Sequence, residues 1–296
     1  MIKLHQSSAC SRSFYAVPWD ARHANRPTPG GGIIEALLTT NVLPNAPVSP
    51  MRMASAEPLF SVILVVFNGA ATIGTALQSV LSQERSLFEI VVVDGLSTDG
   101  TLDIVRSYAD KIAVRISEAD RGIYDAMNKG VAAARGRWIY FLGADDTLCD
   151  CVETVAKHLA DDRTIYYGDV YKTGSRTIYG GSFGPWRLLR KNICHQAIFY
   201  PRSVFNFHQF NLEYPLYADW ELNLRCYADS RFRFQHVPIT IANYNDASGA
   251  SSVMVDAAFA TDQGRIIREC LPFGCYIWYR IKRGVHFVVD RFRTHR

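Results

Sequence analysis

No apolar run in this chain approaches the ~18 residues of a membrane-spanning helix. The N-terminus has no short apolar core of the kind that opens a signal peptide, so none is expected. After the first apolar segment the chain reads Phe67-Asn-Gly-Ala. The Gly-x-Gly-x-x-Gly turn of a dinucleotide-binding Rossmann protein is missing there, and that class is excluded. A Walker A sequence is missing as well, so any nucleotide must be held by another arrangement. Charge of one sign is not in large excess: a net +4 over 296 residues says little about partners. The seven cysteines are odd in number, scattered and without metal-ligand spacing, Cys149-x-Cys151 being a weak signal. They predict reduced thiols in a cytosolic protein rather than a disulfide framework or a zinc site.

What is present is an ordinary globular composition, 48% hydrophobic and 20% charged, enough to bury a sizeable core. Residues 1–57 are rich in Pro, Ala, Ser, Thr and Gly and lack sustained periodicity, so they are expected to be a disordered extension. Met51 and Met53 stand just before the regular part, and a start there would leave that extension out. From Phe60 onward, buried β-branched runs at 60–66 and 88–93 alternate with helical spacing at 71–81 and from Ser97 or Thr98 to 108. A strand at 111–116, a helix at 123–134 and a strand at 138–142 complete the alternation. That order predicts an α/β fold, a mainly parallel central sheet with helices on both faces. In such sheets ligands bind beyond the carboxyl ends of the strands. Asn68, Asp94, Asp120 and the pair Asp145-Asp146 all fall at those ends.

Two adjacent carboxylates at the open end of a buried strand suit a hard divalent cation that keeps some waters and shares a phosphate. The competing reading is that Asp145 or Asp146 caps a following helix. Asp94 leaves the second strand where it can accept the imino N–H of a uracil-like base; it can equally be a turn residue satisfied by backbone amides. Asp219 and Glu221 stand two apart at the start of a helix expected over 218–227, so only one of them can face a site. His195 precedes a strand expected over 197–200, where an imidazole can meet metal, phosphate or acceptor, or be a satisfied half-buried side chain. Arg121 can pair with a diphosphate or with Asp120 or Asp125. Trp186, Trp220 and Tyr244 are candidates for stacking on a sugar, against the commoner fate of core packing.

The ordered set Val62-Ile-Leu-Val-Val-Phe-Asn68, Val93-Asp-Gly-Leu-Ser-Thr-Asp-Gly-Thr101, Asp120-Arg-Gly-Ile-Tyr-Asp-Ala-Met-Asn-Lys-Gly130 and Phe141-Leu-Gly-Ala-Asp-Asp146 resembles the family 2 glycosyltransferases. Asn192-Ile-Cys-His-Gln-Ala-Ile-Phe-Tyr200 and Ala218-Asp-Trp-Glu-Leu-Asn-Leu-Arg225 extend the resemblance, which is especially to phenolic-glycolipid and surface-polysaccharide enzymes. The resemblance implies a GT-A domain over 58–250, a nucleoside-diphosphate sugar donor, Mn2+ or Mg2+, and inversion at the anomeric carbon. It implies that Asp94 meets the nucleobase, Asp145 the ribose side and Asp146 the metal, with Asn68, Asp120, Arg121 and His195 around the donor. Alignment with the family's acidic pair gives Asp219 the role of base, although Ala218 replaces the usual preceding acid. Two alternatives are a nucleotide-sugar pyrophosphorylase, which lacks its Gly-rich phosphate loop here, and a catalytically inactive sugar-binding or scaffold protein.

Residues 251–296 read as a helical tail, basic and aromatic. From Arg265 onward eight Arg or Lys oppose Glu269 and Asp290, a local +6, leaving −2 for the rest of the +4 chain. This pattern suits the headgroup region of an anionic bilayer and a lipid-linked or glycan acceptor, or a terminal helix packed on the domain. The expected location is cytoplasmic, with peripheral contact to the inner face of the cell membrane. Nucleic acid is not expected as a partner, because no known binding module is present.

Overall fold

The computed structural model describes residues 57–247 and 255–293. The extension expected over 1–57 lies outside the described residues but for Glu57, and so does the boundary expected at 250. Four strands form the first half of the sheet: β1 (Phe60–Val66), β2 (Phe88–Asp94), β3 (Val114–Ser117) and β4 (Trp138–Gly143). They stand in the order β3-β2-β1-β4, all parallel. Three helices connect them: α1 (Ile73–Leu81), α2 (Thr101–Ser107) and α3 (Ile123–Ala133). Every residue of β1, β2 and β4 is buried, which is why these strands read as near-continuous apolar runs rather than as alternating ones.

The alternation appears in three dimensions instead. Ile63 and Val65 join Val91, Val93 and Phe141 on one face, and Val62, Leu64 and Val66 join Ile90, Val92 and Leu142 on the other. α3 covers the first face; α1 and α2 cover the second. Each such fully buried aliphatic side chain contributes roughly 1.5–3 kcal/mol relative to exposure.

Past β4 the sheet continues with mixed pairing through β8 (Ile198–Pro201), β6 (Thr164–Lys172), β9 (Arg233–Tyr244) and β5 (Thr147–Leu148), with β7 (Thr177–Tyr179) beside β6. The intervening helices are α4 (Val152–Ala156), α5 (Pro185–Leu188) and α6 (Ala218–Ala228). α4 packs on the α1 face, and α6 packs on the α3 face together with α7 (Ala257–Cys270). α8 (Phe273–Arg293) follows. No helix among the described residues is long and apolar enough to cross a membrane, and their six cysteines are free.

The helix expected from Ser97 or Thr98 begins at Thr101, with Gly100 as its N-cap at φ +94°. The Ser97 hydroxyl and the Thr98 amide instead bond to Asn68, across the sheet end. Glycine suits the left-handed position that this late start requires.

Candidate active site

β1 and β4 are neighbours, while the chain reaches β4 only after β2 and β3. The sheet order therefore reverses at this pair, and a crevice opens beyond their carboxyl ends. A cavity of about 450 Å³ lies there, walled by Asn68 after β1, Asp120 and Gly122 before α3, and Asp145 after β4. A second cavity, of about 420 Å³, adjoins it through Ile123, Gly143 and Asp145. Asp146, His195, Asp219 and Tyr244 also line it.

The first wall is fastened by its loops. The Asn68 amide donates to Ser97 Oγ at 2.7 Å, and its side-chain oxygen accepts from the Thr98 amide at 2.9 Å. The Gly69 amide donates to Thr101 Oγ1 (2.9 Å) and the Ala70 amide to Asp99 (3.0 Å). Asn68 sits at φ +50°, a region its short amide tolerates. Asp94 is buried, accepts from the Ser97 amide and from Ser117 Oγ (2.8 Å), and lines neither cavity. Asp120 lies over Gly95, where an added Cβ would stand 2.5 Å from its Oδ2. Arg121 is not on the wall: its side chain is 75% exposed beside Asp125, so the surface-pairing alternative describes it.

Asp145 and Asp146 part company after Gly143. Asp145 is exposed and meets the Asn245 side-chain amide at 3.4 Å. Asp146 is buried, accepting from Gln196 Nε2 (2.8 Å) and from the Asn245 amide (2.8 Å). A Cβ at residue 143 would come within 2.6 Å of its carboxylate, so glycine is required there. Burial pushes the Asp146 carboxyl above its usual range, with the charge of Asp145 adding to it, while the Asn245 and Gln196 hydrogen bonds oppose the rise. Neither aspartate caps a helix, because β5 follows at Thr147 and α4 starts only after Cys151.

Asp219 enters from the far side. It lies in the first turn of α6, whose N-cap is Tyr217. Its Oδ1 accepts from the Trp220 amide (2.8 Å) and the Tyr124 hydroxyl (2.9 Å); its Oδ2 faces His195 Nδ1 at 3.2 Å. The Tyr124 hydroxyl is also 2.9 Å from the Leu216 carbonyl. Burial, and next the Asp219 charge, hold the Tyr124 phenol well above its ordinary value, so it stays a donor. Glu221 points the other way. It is fully buried and paired with Arg225, and burial raises its carboxyl against the lowering pull of that guanidinium.

The aromatic candidates separate too. Tyr244 lines the second cavity. Trp220 stacks on Phe259 and donates to the Leu188 carbonyl, which is core packing. Trp186 is exposed at Gly274, away from both cavities.

Tyr124, Gln196 and Asn245 are site residues that the sequence reading gave no role. Tyr124 and Gln196 lie inside motifs already singled out, where spacing showed nothing of their partners. Asn245 is 99 residues from Asp146 and carried no local signal.

A divalent cation fits this wall. His195 Nε2 is buried without a hydrogen-bond partner, and the imidazole lines the same cavity as Asp145 and Asp146. Pairing of Nδ1 with Asp219 favours the tautomer that leaves Nε2 a free lone pair. Among the described residues no three His, Cys, Asp or Glu side chains close around a point. An ion held by one or two carboxylates and completed by water and substrate phosphate needs no closed set.

A sheet of this order, with a cleft at its reversal point, is the GT-A fold, and the comparisons agree. Residues 61–216 match the Glycosyl transferase family 2 description, and the chain belongs to that family. It is 40% identical over 213 residues to the PGL/p-HBAD biosynthesis glycosyltransferase of Mycobacterium tuberculosis (strain ATCC 25177 / H37Ra), covering 69% of this chain and 83% of the relative. The fold is shared with S. aureus TarS 1-349 in complex with UDP-GlcNAc. That match has a TM-score of 0.57 and 20% identity over 70% of this chain and 65% of the other, so just under two thirds of that structure is spanned. It is also shared with the mannosyltransferase PcManGT from Pyrobaculum calidifontis in complex with GDP-Man and Mn2+ (TM-score 0.52, 19% identity, 79% of this chain and 68% of that one). The pyrophosphorylase and inactive-scaffold alternatives give way: the chain is a glycosyltransferase.

Proposed function

We propose that this glycosyltransferase is inverting and metal-dependent, and that it moves a sugar from a nucleoside-diphosphate sugar to a hydroxyl of a lipid-linked or glycan acceptor. The observation that carries the reading is the meeting of Asp145, Asp146, His195 and Asp219 on one cavity that adjoins the cleft beyond β1 and β4. Donor complexes of the fold neighbours, with UDP-GlcNAc and with GDP-Man and Mn2+, support the donor and metal classes. The PGL/p-HBAD biosynthesis relative supports the acceptor class.

In this reading the nucleotide lies in the first cavity, along Asn68 and Asp120, with Asp145 on the ribose side. Asp94 uses a remaining lone pair for the base N–H. Asp146 would hold Mn2+ or Mg2+, with Asp145 and His195 Nε2 as neighbours. Bound there, the ion would offset the charge of the departing diphosphate. The acceptor hydroxyl comes into the second cavity against Asp219. Three of the four lone-pair positions of that carboxylate are occupied by Trp220, Tyr124 and His195, so one on Oδ2 is left for the acceptor. Asp219 takes the hydroxyl proton as the acceptor oxygen bonds to the anomeric carbon. The bond from that carbon to the diphosphate oxygen breaks on the opposite face, and configuration inverts.

The test is calorimetric binding and slow hydrolysis of UDP-, GDP- and dTDP-sugars with Mn2+ or Mg2+, for wild type and Asp146→Ala. Metal-dependent release of nucleoside diphosphate, lost in the variant, is expected. Failure of every nucleotide to bind with metal present removes the site assignment.

A further inference from the structure

α8 carries an uncovered apolar ridge. Phe273, Ile277 and Ile281, four residues apart, share one helix face and are 72%, 41% and 62% exposed. Trp186 of α5, itself 49% exposed, reaches the same helix at Gly274, where its ring would lie 3.8 Å from an added Cβ. Scattered apolar residues on a surface need no explanation, but a continuous ridge of four marks a contact site.

Cations border the ridge on both sides. On one side α7 and α8 enclose a groove of about 620 Å³ lined by Arg265, Arg268, Arg280 and Arg283 together with Tyr276 and Tyr279. Arg280 and Arg283 donate to the tyrosine hydroxyls at 2.9 and 2.7 Å, so these contacts leave their charge unneutralised. The acids of α7, Asp262 and Glu269, are taken up by Arg265. On the other side Arg190 and Lys282 lie over the Trp278 ring. Apolar side chains flanked by arginine and aromatic rings match a bilayer that offers acyl chains below anionic phosphates. A protein partner of matching charge would need to present acidic residues around an apolar trough, whereas an anionic bilayer presents that pattern everywhere.

We infer that the α8 ridge and the α7–α8 arginine groove form a docking face for an anionic phospholipid bilayer, the ridge entering the acyl boundary and the groove taking lipid phosphate. The face is fastened to the catalytic cleft. Phe259 of α7 stacks on Trp220 of α6, next to Asp219, and Trp220 Nε1 holds the Leu188 carbonyl at the end of α5. A lipid-linked acceptor can then reach the cavity while its anchor stays in the membrane. That use rests on the proposed acceptor class; binding to the bilayer does not, and is measured without any sugar.

The experiment is co-sedimentation of the full chain with vesicles of phosphatidylcholine alone or with roughly a third phosphatidylglycerol. Wild type is expected to bind the anionic vesicles and to be released by salt. Arg268→Glu/Arg280→Glu/Arg283→Glu should weaken binding by about 100-fold or more, and Phe273→Ser/Ile277→Ser/Ile281→Ser by about tenfold. All these positions are surface ones, and circular dichroism melting of each variant establishes that it folds. Equal binding to neutral and anionic vesicles, no binding by wild type, or wild-type binding by both variants overturns the inference. So does light scattering that shows a dimer abolished by the serine variant, which would give the ridge to a second copy of the chain. If the vesicles are bound and no nucleotide sugar is, the docking face stands and the donor reading falls.

Discussion

Between the loops after β1 and β2, four backbone amides find side-chain acceptors, and Asp94 accepts from Ser97 and Ser117. Across the cleft, His195 and Asp219 meet each other at 3.2 Å, and the second imidazole nitrogen is buried with nothing to bond. The loop amides of the first wall have their hydrogen bonds complete before any ligand arrives. The second keeps a vacant lone pair on His195 and one on Asp219. An unpaired buried nitrogen costs free energy that a structural histidine would avoid. A wall made to hold a substrate in position can be self-sufficient, whereas a wall that binds an ion or takes a proton must leave valence open.

The largest break of this contrast should come at Asp219. Asp219→Asn keeps the shape and removes the basic oxygen. We expect sugar transfer to fall by about 10²–10⁴-fold while calorimetric affinity for the donor stays within about twofold, since the residue is assigned no donor contact. Equal loss of donor affinity would mean that the far wall also holds the donor. Next comes Asp146→Asn, which should lower metal-dependent turnover by about 10²–10³-fold. Here affinity should fall too, and titration with Mn2+ should recover part of it. The two variants thus separate ion holding from proton transfer by which constant they change.

The fold was far easier to read than this contrast. Runs such as Phe60–Val66 and Trp138–Gly143 are buried on both faces, so their composition alone marks them as central parallel strands. Carboxylates at strand ends then fall near the cleft by topology. The mixed half was less legible in part because β5 has two residues and β7 three, too short for any period to register. The direction of side chains was also hidden. Asp94 and Asp120 look alike in sequence, yet only Asp120 lines a cavity. Arg121 precedes α3, and its exposed side chain lies beside Asp125 in the first turn of that helix. The separation of Asp219 from Glu221 was predicted as a matter of helix phase, and Arg225, one turn on, is what holds Glu221 away.

The stiffness of the first wall is testable through its foundation at the opposite strand ends. Glu89 of β2 is buried, accepts from Ser61 Oγ (2.7 Å) and from the Arg135 amide (2.6 Å), and pairs with the Arg135 side chain. Burial alone would raise its carboxyl, but the hydrogen bonds from Ser61 and Arg135 and the guanidinium charge outweigh it, and the folded value is lowered. A lowered acid contributes stability that is present above its unfolded value, near 4.3, and lost as pH falls through the folded one. Glu89→Gln should therefore cost about 2 kcal/mol at neutral pH. Its unfolding midpoint in urea should also depend less on pH below about 4.3 than that of wild type. An unchanged midpoint at neutral pH would show that the parallel half does not depend on this junction.

The smallest expected effect probes how the second wall is aimed. Tyr124 stands at the start of α3, reaches Asp219 and offers it one proton that the Leu216 carbonyl also approaches. Removing the hydroxyl leaves the ring packed against Phe210 and frees one lone pair on Asp219. In Tyr124→Phe the Asp219 carboxylate then loses a constraint on its position. Loss of one such bond amounts to about 1 kcal/mol, so kcat should fall less than about tenfold while calorimetric affinity for the donor stays within about twofold. A purely structural role for Tyr124 would lower the melting temperature and leave kcat of the folded variant unchanged. A lower kcat without loss of donor affinity would tie Tyr124 to the proton-accepting wall and leave the donor wall, as its completed loop hydrogen bonds predict, indifferent to the change.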